Sequence, residues 1–356
     1  PAEVALSIEG AGRTSSLSTR SSPSTLSTLS PTMRPLTLTM ISLLRGLSSS
    51  SMTAPKMMFA SSEAAPWTRS SASVSGSAAP GQAVQLVVDG RIAQAPTVLA
   101  DAQGRWQATV ATADMVDADA AHSLTAWVPG SGAAAPATFQ VRRDWQLLAE
   151  ASDPAGDDAG PEGRYTYPTD ASWGSHRQMD IRGVKVWAAG GALRVDVQMA
   201  SLTTFWNPPN GFDHVHFTVF IEQPGRGGGA TVMPLQNASL PGGMRWHRRL
   251  RVGGWSNALF ADEGASATAE GRPVTPGASV RTDAATQTVS FTLPPSALAG
   301  PGGGAASLSG TRVLVTTWDY DGGYRALETT PQPYAVGGGA PGQPKVMDAS
   351  AVITLP

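Results

Sequence analysis

The segment from Asp153 to Pro168 contains the densest group of residues that could bind a cation. Its sequence, DPAGDDAGPEGRYTYP, places three aspartates, Asp153, Asp157 and Asp158, within six residues, among glycines and prolines. This composition favours neither helix nor regular strand, so the segment is expected to be a structured loop. Calcium takes about six to eight oxygen ligands, which a flexible Asp/Gly loop can supply. A solvated turn has the same composition, and both interpretations stay open.

A second acidic loop follows a strand-like run near the C-terminus. Asp319 and Asp321 occur there in the sequence DYDGG. If both acidic loops lie at the same end of one β-sandwich, Asp319 and Asp321 could join the cation site. Turn formation explains them equally well.

Aromatic residues in polar loops form the second group with recognisable chemistry. Sugar binding by β-sandwiches depends on exposed rings that stack on the apolar face of a pyranose, while carboxylates, amides and arginines satisfy its hydroxyls. Trp206 lies in a Pro/Asn-rich loop that no core requires. We expect Trp206 and Trp255 to form a platform, with Tyr324 behind them and Asn207 and Asn210 as hydroxyl partners. The other aromatic candidates are Trp173, Trp318 and Tyr320.

Catalytic and metal motifs of other kinds are weak or absent from the sequence. His214 and His216 share a strand face and could offer two nitrogens to a metal, although hydrogen-bonded histidines on a polar face are the ordinary interpretation. Met199 and His214 could ligate haem, but their spacing does not argue for it. No segment resembles a glycosidase motif, and no nucleophile elbow, P-loop, dinucleotide fingerprint or zinc-protease helix is present. We therefore predict that the chain is not an enzyme and assign no catalytic residue.

The overall composition limits the fold class and the partners. Charged residues make up 15% of the chain and the net charge is −2, which offers no basic surface for nucleic acid or anionic membrane. No apolar run approaches the roughly eighteen residues of a spanning helix. Cysteine is absent, which removes disulfides, thiolate nucleophiles and cysteine-ligated zinc. The 39 glycines and 28 prolines between short apolar runs indicate an all-β protein.

Residues 1–70 differ in composition from the rest of the chain. Serine and threonine dominate, and no aspartate occurs before Asp89. The segment is predicted to be disordered and of low complexity. The abrupt change near Trp67 also fits a stretch translated in the wrong frame, and sequencing the encoding DNA would separate the two interpretations.

Residues 71–143 show short alternating strands separated by turns. The run from Val84 to Val88 is closed by Asp89-Gly90, a strong hairpin signal. The strand spacing predicts a small immunoglobulin-like sandwich, and the segment resembles bacterial Ig-like domains, which serve as spacers. Trp106 and Trp127 are expected to anchor its core.

The region after Asp144 has longer strands of the same kind. Leu193, Val195, Val197 and Met199 alternate with polar residues and are expected to face a core, and the run from Val215 to Ile221 alternates in the same way. Two antiparallel sheets packed face to face are the economical way to bury one side of each strand.

Four segments of this region resemble a known family. They are DPAGDDAGPEGRYTYPTD, FWNPPNGF from Phe205, GGW from Gly253 and TTWDYDGGY from Thr316. Together they resemble the C-terminal, DOMON-like domain of glucodextranase, which is also attached to amylopullulanases and other α-glucan hydrolases of bacteria. The resemblance covers residues 145–356. It implies a larger, jelly-roll-type β-sandwich that binds sugar or a cell surface and has no catalytic residues of its own.

The resemblance also implies a cofactor, a partner and a location. Related modules hold structural calcium near such loops, so a calcium site is expected from Asp153, Asp157 and Asp158, with Asp319 or Asp321 as further partners. The expected partner is an α-glucan polysaccharide or cell-surface glycan, and the expected location is secreted, periplasmic or at the cell surface.

The function that follows is a non-catalytic, α-glucan-binding accessory region of a bacterial glycoside hydrolase. Two alternatives stay open. The chain could be a fragment of an α-amylase- or glucodextranase-type hydrolase that lacks its catalytic domain, or a purely structural attachment module. Exposed loop aromatics that share a plane would favour sugar binding, and buried ones would favour the structural role.

Overall fold

A computed structural model describes residues 56–60, 71–92, 97–300 and 302–356. These residues form almost only antiparallel strands and turns, with a single four-residue helix. The predicted all-β fold is therefore confirmed. The chain divides into two compact units, residues 1–144 and 145–356. No helix in the described ranges is long and apolar enough to cross a bilayer.

The described residues of unit 1 form two sheets. Its strands are β1 (Lys56–Ala60), β2 (Ser71–Ser77), β3 (Ala83–Val88), β4 (Arg91–Ile92), β5 (Val98–Leu99), β6 (Arg105–Ala111), β7 (His122–Val128), β8 (Gly132–Ala133) and β9 (Ala137–Phe139). One sheet has the order β1-β2-β6, and the other has the order β4-β3-β7-β8, with β5 beside β3 and β9 beside β7.

The core of unit 1 follows the two-residue period of its strands. Trp106 is buried among alternate residues of β6, as the sequence predicts. Trp127 is only half-buried, because β7 turns Leu124, Ala126 and Val128 inward and places Trp127 on its other face. The expectation that Trp127 anchors the core is therefore wrong.

The predicted disorder of residues 1–70 concerns a segment that lies mostly outside the described residues. Within the described part, Lys56–Ala60 forms β1 and pairs antiparallel with β2.

Unit 2 contains two larger sheets and a short hairpin. Its elements are β10 (Gln146–Ser152), β11 (Ile181–Ala189), β12 (Ala192–Met199), β13 (His216–Glu222), β14 (Val232–Met233), β15 (Ala238–Ser239), β16 (Arg248–Gly253), β17 (Ser256–Ala261), β18 (Arg272–Val274), β19 (Ser279–Asp283), β20 (Thr288–Leu293), α1 (Pro295–Leu298), β21 (Arg312–Trp318), β22 (Asp348–Ala349) and β23 (Ile353–Thr354). One sheet has the order β10-β11-β12-β20-β19. The other has the order β18-β17-β16-β13-β21-β22, with β23 beside β21, and β14 pairs with β15.

The two larger sheets of unit 2 enclose one apolar core. Leu193, Val195 and Val197 from one sheet share a single buried cluster with Phe217 and its neighbours from the other. The rings of Phe217 and Phe291 meet across the two sheets with centroids 5.3 Å apart. Burial of each large apolar side chain contributes about 1.5–3 kcal/mol, so this cluster holds the sandwich together.

The seven-stranded sheet is covered on its outer face as well. Phe220 and Trp246 are fully buried in a second apolar cluster there. Consequently β13 is buried on both sides over most of its length. Its start, at His216, lies beside the ends of β16 and β21, because β13 runs antiparallel to both.

Candidate functional site

A pocket of about 520 Å³ opens where the start of β13 meets the ends of β16 and β21. Its volume lies within the range of about 300–1,000 Å³ that is usual for small-molecule sites. The lining is mostly aromatic, with a few polar side chains. The larger side chains that line it are Trp173, Trp206, His214, His216, Trp255, Asp319, Tyr320, Asp321, Arg325 and Tyr334.

Two indole rings form one wall of the pocket. Trp206 is 49% exposed and Trp255 is 58% exposed. Their ring centroids are 6.4 Å apart and their planes differ by 38°. Trp206 also stacks on the imidazole of His214, with centroids 4.1 Å apart and planes 18° apart. The structure thus brings the two predicted platform residues together in one pocket.

The three remaining sugar-contact candidates do not line the pocket. The amide nitrogen of Asn210 donates to the carbonyl oxygens of Gly253 (2.7 Å) and Ser256 (3.3 Å), so it ties the loop to the β16–β17 turn. Asn207 is exposed and adopts a left-handed backbone conformation, φ 49°. Tyr324 is buried, and its hydroxyl lies 2.8 Å from that of Thr218.

An acidic wall faces the pocket from the loop after β21. Nε of Arg325 lies 3.2 Å from Oδ2 of Asp319, and its Nη2 lies 2.7 Å from Oδ2 of Asp321. Burial raises the pKa of Asp319 to about 7, against the opposing charge of Arg325. Asp319 and Asp321 are therefore engaged by Arg325 at the pocket, and the structure does not bring them to the Asp153 loop.

The floor of the pocket contains two histidines in different environments. His216 stacks on Tyr320, with centroids 4.3 Å apart, and the guanidinium of Arg251 lies 4.4 Å from the Tyr320 ring centre. Burial, with the charges of Arg251 and Arg249, lowers the pKa of His216 well below its usual value. His216 is therefore neutral at physiological pH. Among the described residues, no group of three metal-ligating side chains includes His214 or His216.

An acidic cluster lies apart from this pocket lining. Asp153, Asp157 and Asp348 each offer an oxygen, and the three atoms lie within 4.8 Å of one another. Burial, with the charges of neighbouring carboxylates, raises the pKa of Asp153 to about 6. Asp158 is not in the cluster, because it is buried in an ion pair with Arg177.

Asp348 reaches the acidic cluster from β22. The backbone N–H of Ile181 donates to its Oδ2, and that of Ala349 donates to its Oδ1, both at 2.7 Å. Burial again raises the pKa, here to about 7. One oxygen of Asp153, Oδ2, is buried without a hydrogen-bond partner. The cluster therefore contains carboxylates whose negative charge is poorly compensated by the protein.

The pocket and the acidic cluster both lie in a segment with known relatives. The sequence profile of the C-terminal binding module of glucodextranase, described as SLH-like, matches residues 148–354, more than half of the chain. The chain belongs to this family. A comparison with curated proteins finds no match for the chain. The resemblance of residues 145–356 is confirmed, whereas unit 1 lies outside the match and its Ig-like character stays a prediction.

Membership of the glucodextranase C-terminal family identifies the coarse role of unit 2. It is a carbohydrate-binding accessory module associated with the cell exterior or surface. Sequence reasoning named His214 only as a possible metal or haem ligand, and it missed Arg325 and Tyr334 as pocket residues. Arg325 had a local signal, since it follows Asp321 at a spacing of four within the acidic loop. No local sequence signal marked Tyr334, because it lies in the long connection between β21 and β22, far along the chain from most of the other pocket residues.

The backbone of Gly253 in this glucodextranase-type module lies close against the His216 ring at the pocket. A Cβ at this position would overlap Nδ1 of His216, whose other side is occupied by Tyr320. We expect Gly253→Ala to lower the free energy of unfolding by about 1–3 kcal/mol, as overpacking does. Urea unfolding measures this. Gly227→Ala is the matched control, since no atom lies within 4 Å of its Cβ position. Equal midpoints for both variants would contradict the expectation.

Proposed function

We propose that residues 145–356 bind α-glucan, without turnover, in the pocket lined by Trp206 and Trp255. The observation that carries the proposal is the pair of exposed indoles, 6.4 Å apart, at the mouth of a pocket that also contains Asp321 and Arg325. The apolar face of a pyranose stacks on such rings. Carboxylate and guanidinium groups beside the rings can accept from and donate to the sugar hydroxyls.

The charge pairing in the pocket supports binding rather than hydrolysis. A glycosidase generally needs one carboxylic acid to protonate the leaving oxygen and a second carboxylate at a set distance. Asp319 and Asp321 both pair with one guanidinium, that of Arg325, so neither is a free carboxyl group placed to act as acid or base. Affinity is expected to be modest, because a few hydroxyl contacts and one stacking surface must offset the cost of ordering the glycan.

The proposal is tested by retention of the full chain on immobilised starch and dextran, together with an assay for released reducing sugar. We expect retention on at least one of these α-glucans and no sugar release. Release of sugar would contradict the non-catalytic role. Binding only to a different glycan would replace the proposed specificity, and failure to bind any glycan would favour a purely structural attachment module.

We further propose that calcium binds between Asp153, Asp157 and Asp348. Three carboxylate oxygens within 4.8 Å of one another support this, as does the partnerless Oδ2 of Asp153. Backbone carbonyls of the loop and water would complete the oxygen set that calcium prefers. Asp158, Asp319 and Asp321 are left out of the proposed set because arginines already neutralise them.

The location of the protein and the role of unit 1 concern the whole chain. We propose that the protein is a secreted bacterial accessory region of a glycoside hydrolase, with unit 1 as an Ig-like spacer. The resemblances of the two segments support both statements.

A further inference from the structure

Asp213 is a buried carboxylate next to the pocket that the binding proposal does not use. Its exposed fraction is 1%. It accepts hydrogen bonds from Oγ1 of Thr203 at 2.5 Å and from the backbone N–H of Trp206 at 2.9 Å. It also accepts from Nδ1 of His214 at 2.6 Å. Hydrogen bonds to an ionised acceptor are about twice as strong as neutral ones, so three of them fix the carboxylate firmly.

The first two bonds fasten the loop that carries Trp206. Thr203 and Asp213 face each other as an isolated antiparallel bridge, in which the Asp213 N–H donates to the Thr203 carbonyl at 2.8 Å. The chain between them leaves the sandwich and turns, with Asn207 in the left-handed region. The hydrogen bond from the Trp206 N–H to Asp213 holds this loop close to the Thr203–Asp213 bridge. The position of the Trp206 backbone therefore depends on Asp213.

The third bond orients the surface beneath the Trp206 ring. The imidazole of His214 has no exposed side-chain area. Trp206 lies on its face at 4.1 Å, and Trp173 meets it edge-on at 4.6 Å. Because Nδ1 is held by Asp213, the ring cannot rotate about its Cβ–Cγ bond without losing that contact. The plane of the Trp206 indole is thus coupled to Asp213 through His214.

The protonation state of His214 is consistent with this role. Burial lowers its pKa, while the charges of Asp213 and Asp170 oppose the effect and His176 adds to it. At neutral pH the ring is uncharged, and since a carboxylate only accepts, its single N–H is at Nδ1. Nε2 then carries a lone pair, and it is buried without a hydrogen-bond partner.

We propose that Asp213 is the positioning residue of the glycan platform, acting on Trp206 through the Trp206 N–H and through His214. This inference rests on the proposed function only in so far as its first test measures glycan binding. Asp213 does not line the pocket. Its effect on binding therefore passes through the two residues that it holds, Trp206 and His214.

The test is Asp213→Asn in the full chain, alone and combined with Trp206→Ala. Asparagine keeps the size but replaces one acceptor oxygen by a donor, so at least one of the three donors loses its partner. We expect at least tenfold weaker binding to soluble dextran for Asp213→Asn. In the Trp206→Ala background the same change should have a much smaller effect, because residues that act through one another are not additive. Asp196→Asn, which removes a carboxylate paired with Arg194 on β12, is the matched control and should bind as the parent does.

A second measurement does not depend on glycan binding. The indole N–H resonance of Trp206, identified by its loss in Trp206→Phe, should shift or broaden in Asp213→Asn. The pKa of His214, followed by NMR titration, should fall, because Asp213 raises it in the parent. If the parent binds no glycan but both signals change, the proposed function fails and the positioning role stands.

Three outcomes would overturn the positioning role. They are additive binding losses in the double variant, parent-like binding by Asp213→Asn, and an unchanged Trp206 resonance. If Asp213→Asn does not fold, Thr203→Val removes only one of the three donors and should cause smaller changes in binding and in the Trp206 resonance. A Thr203→Val protein with parent-like values of both would count equally against the proposal.

Discussion

Replacing Trp206 with alanine is expected to weaken binding to α-glucan about thirtyfold while the melting temperature stays within about 4 °C of the parent value. A central aromatic contact in a binding site is worth about 2 kcal/mol, which corresponds to this factor. The indole is 49% exposed, so its loss changes the free energy of unfolding by only about 1 kcal/mol. Titration calorimetry with soluble dextran and thermal unfolding measure the two effects.

Trp246→Ala is the matched control for this experiment. Its ring is fully buried, and its indole nitrogen donates to the carbonyl of Val232 at 2.8 Å. Truncation of a buried tryptophan costs about 3–5 kcal/mol, so the melting temperature should fall by roughly 10 °C. Molecules that remain folded should still bind. If Trp206→Ala unfolds the unit and leaves binding intact, Trp206 is a structural residue and the platform is misplaced.

Removing calcium is expected to lower the melting temperature of unit 2 by about 5–10 °C. A ligand that binds only the native state at a hundredfold excess over Kd stabilises it by about 2.7 kcal/mol. For a unit of this size each kcal/mol shifts the melting temperature by about 2–4 °C. Thermal unfolding with and without chelator, at fixed ionic strength, measures the shift.

Two variants distinguish the proposed ligand set from the one expected from the sequence. Asp348→Asn should abolish the sensitivity to chelator, because Asp348 belongs to the cluster with Asp153 and Asp157 and is absent from the sequence-based set. Asp321→Asn should retain it, because Asp321 is paired with Arg325 at the pocket. The reverse result would favour the sequence-based set. If chelator does not change the melting temperature of the parent protein, the calcium proposal is wrong.

The position of the two platform residues in loops could be anticipated because local sequence determines it. Trp206 lies in a Pro/Asn-rich loop and Trp255 follows two glycines, so neither indole can be drawn into a regular strand. Both are exposed. Tyr324 has a similar Gly-rich context, yet it is buried with its hydroxyl near Thr218. Whether a loop folds back over a sheet depends on what that sheet leaves uncovered, which local sequence does not contain.

The same distinction applies to the strands. The alternation of Leu193, Val195 and Val197 predicted the core-facing side of β12, and all three are fully buried. On β13 the alternation predicted that His216 and Phe220 face away from the core, yet both are buried as well. The outer face is covered by other segments of the chain, such as Trp246 and the loop of Tyr320.

The sequence by itself determined the all-β class, the core-facing residues of the central strands and the loop position of Trp206 and Trp255. These features depend on the period of the strand and on turn residues, which act over a few neighbouring positions. Only the tertiary structure decided the charged partners. Asp348 joins Asp153 because β22 reaches the acidic loop, and Asp158 leaves the cluster because Arg177 binds it. Charges interact through space over several ångströms, so their partners depend on which strands pair and not on their order along the chain.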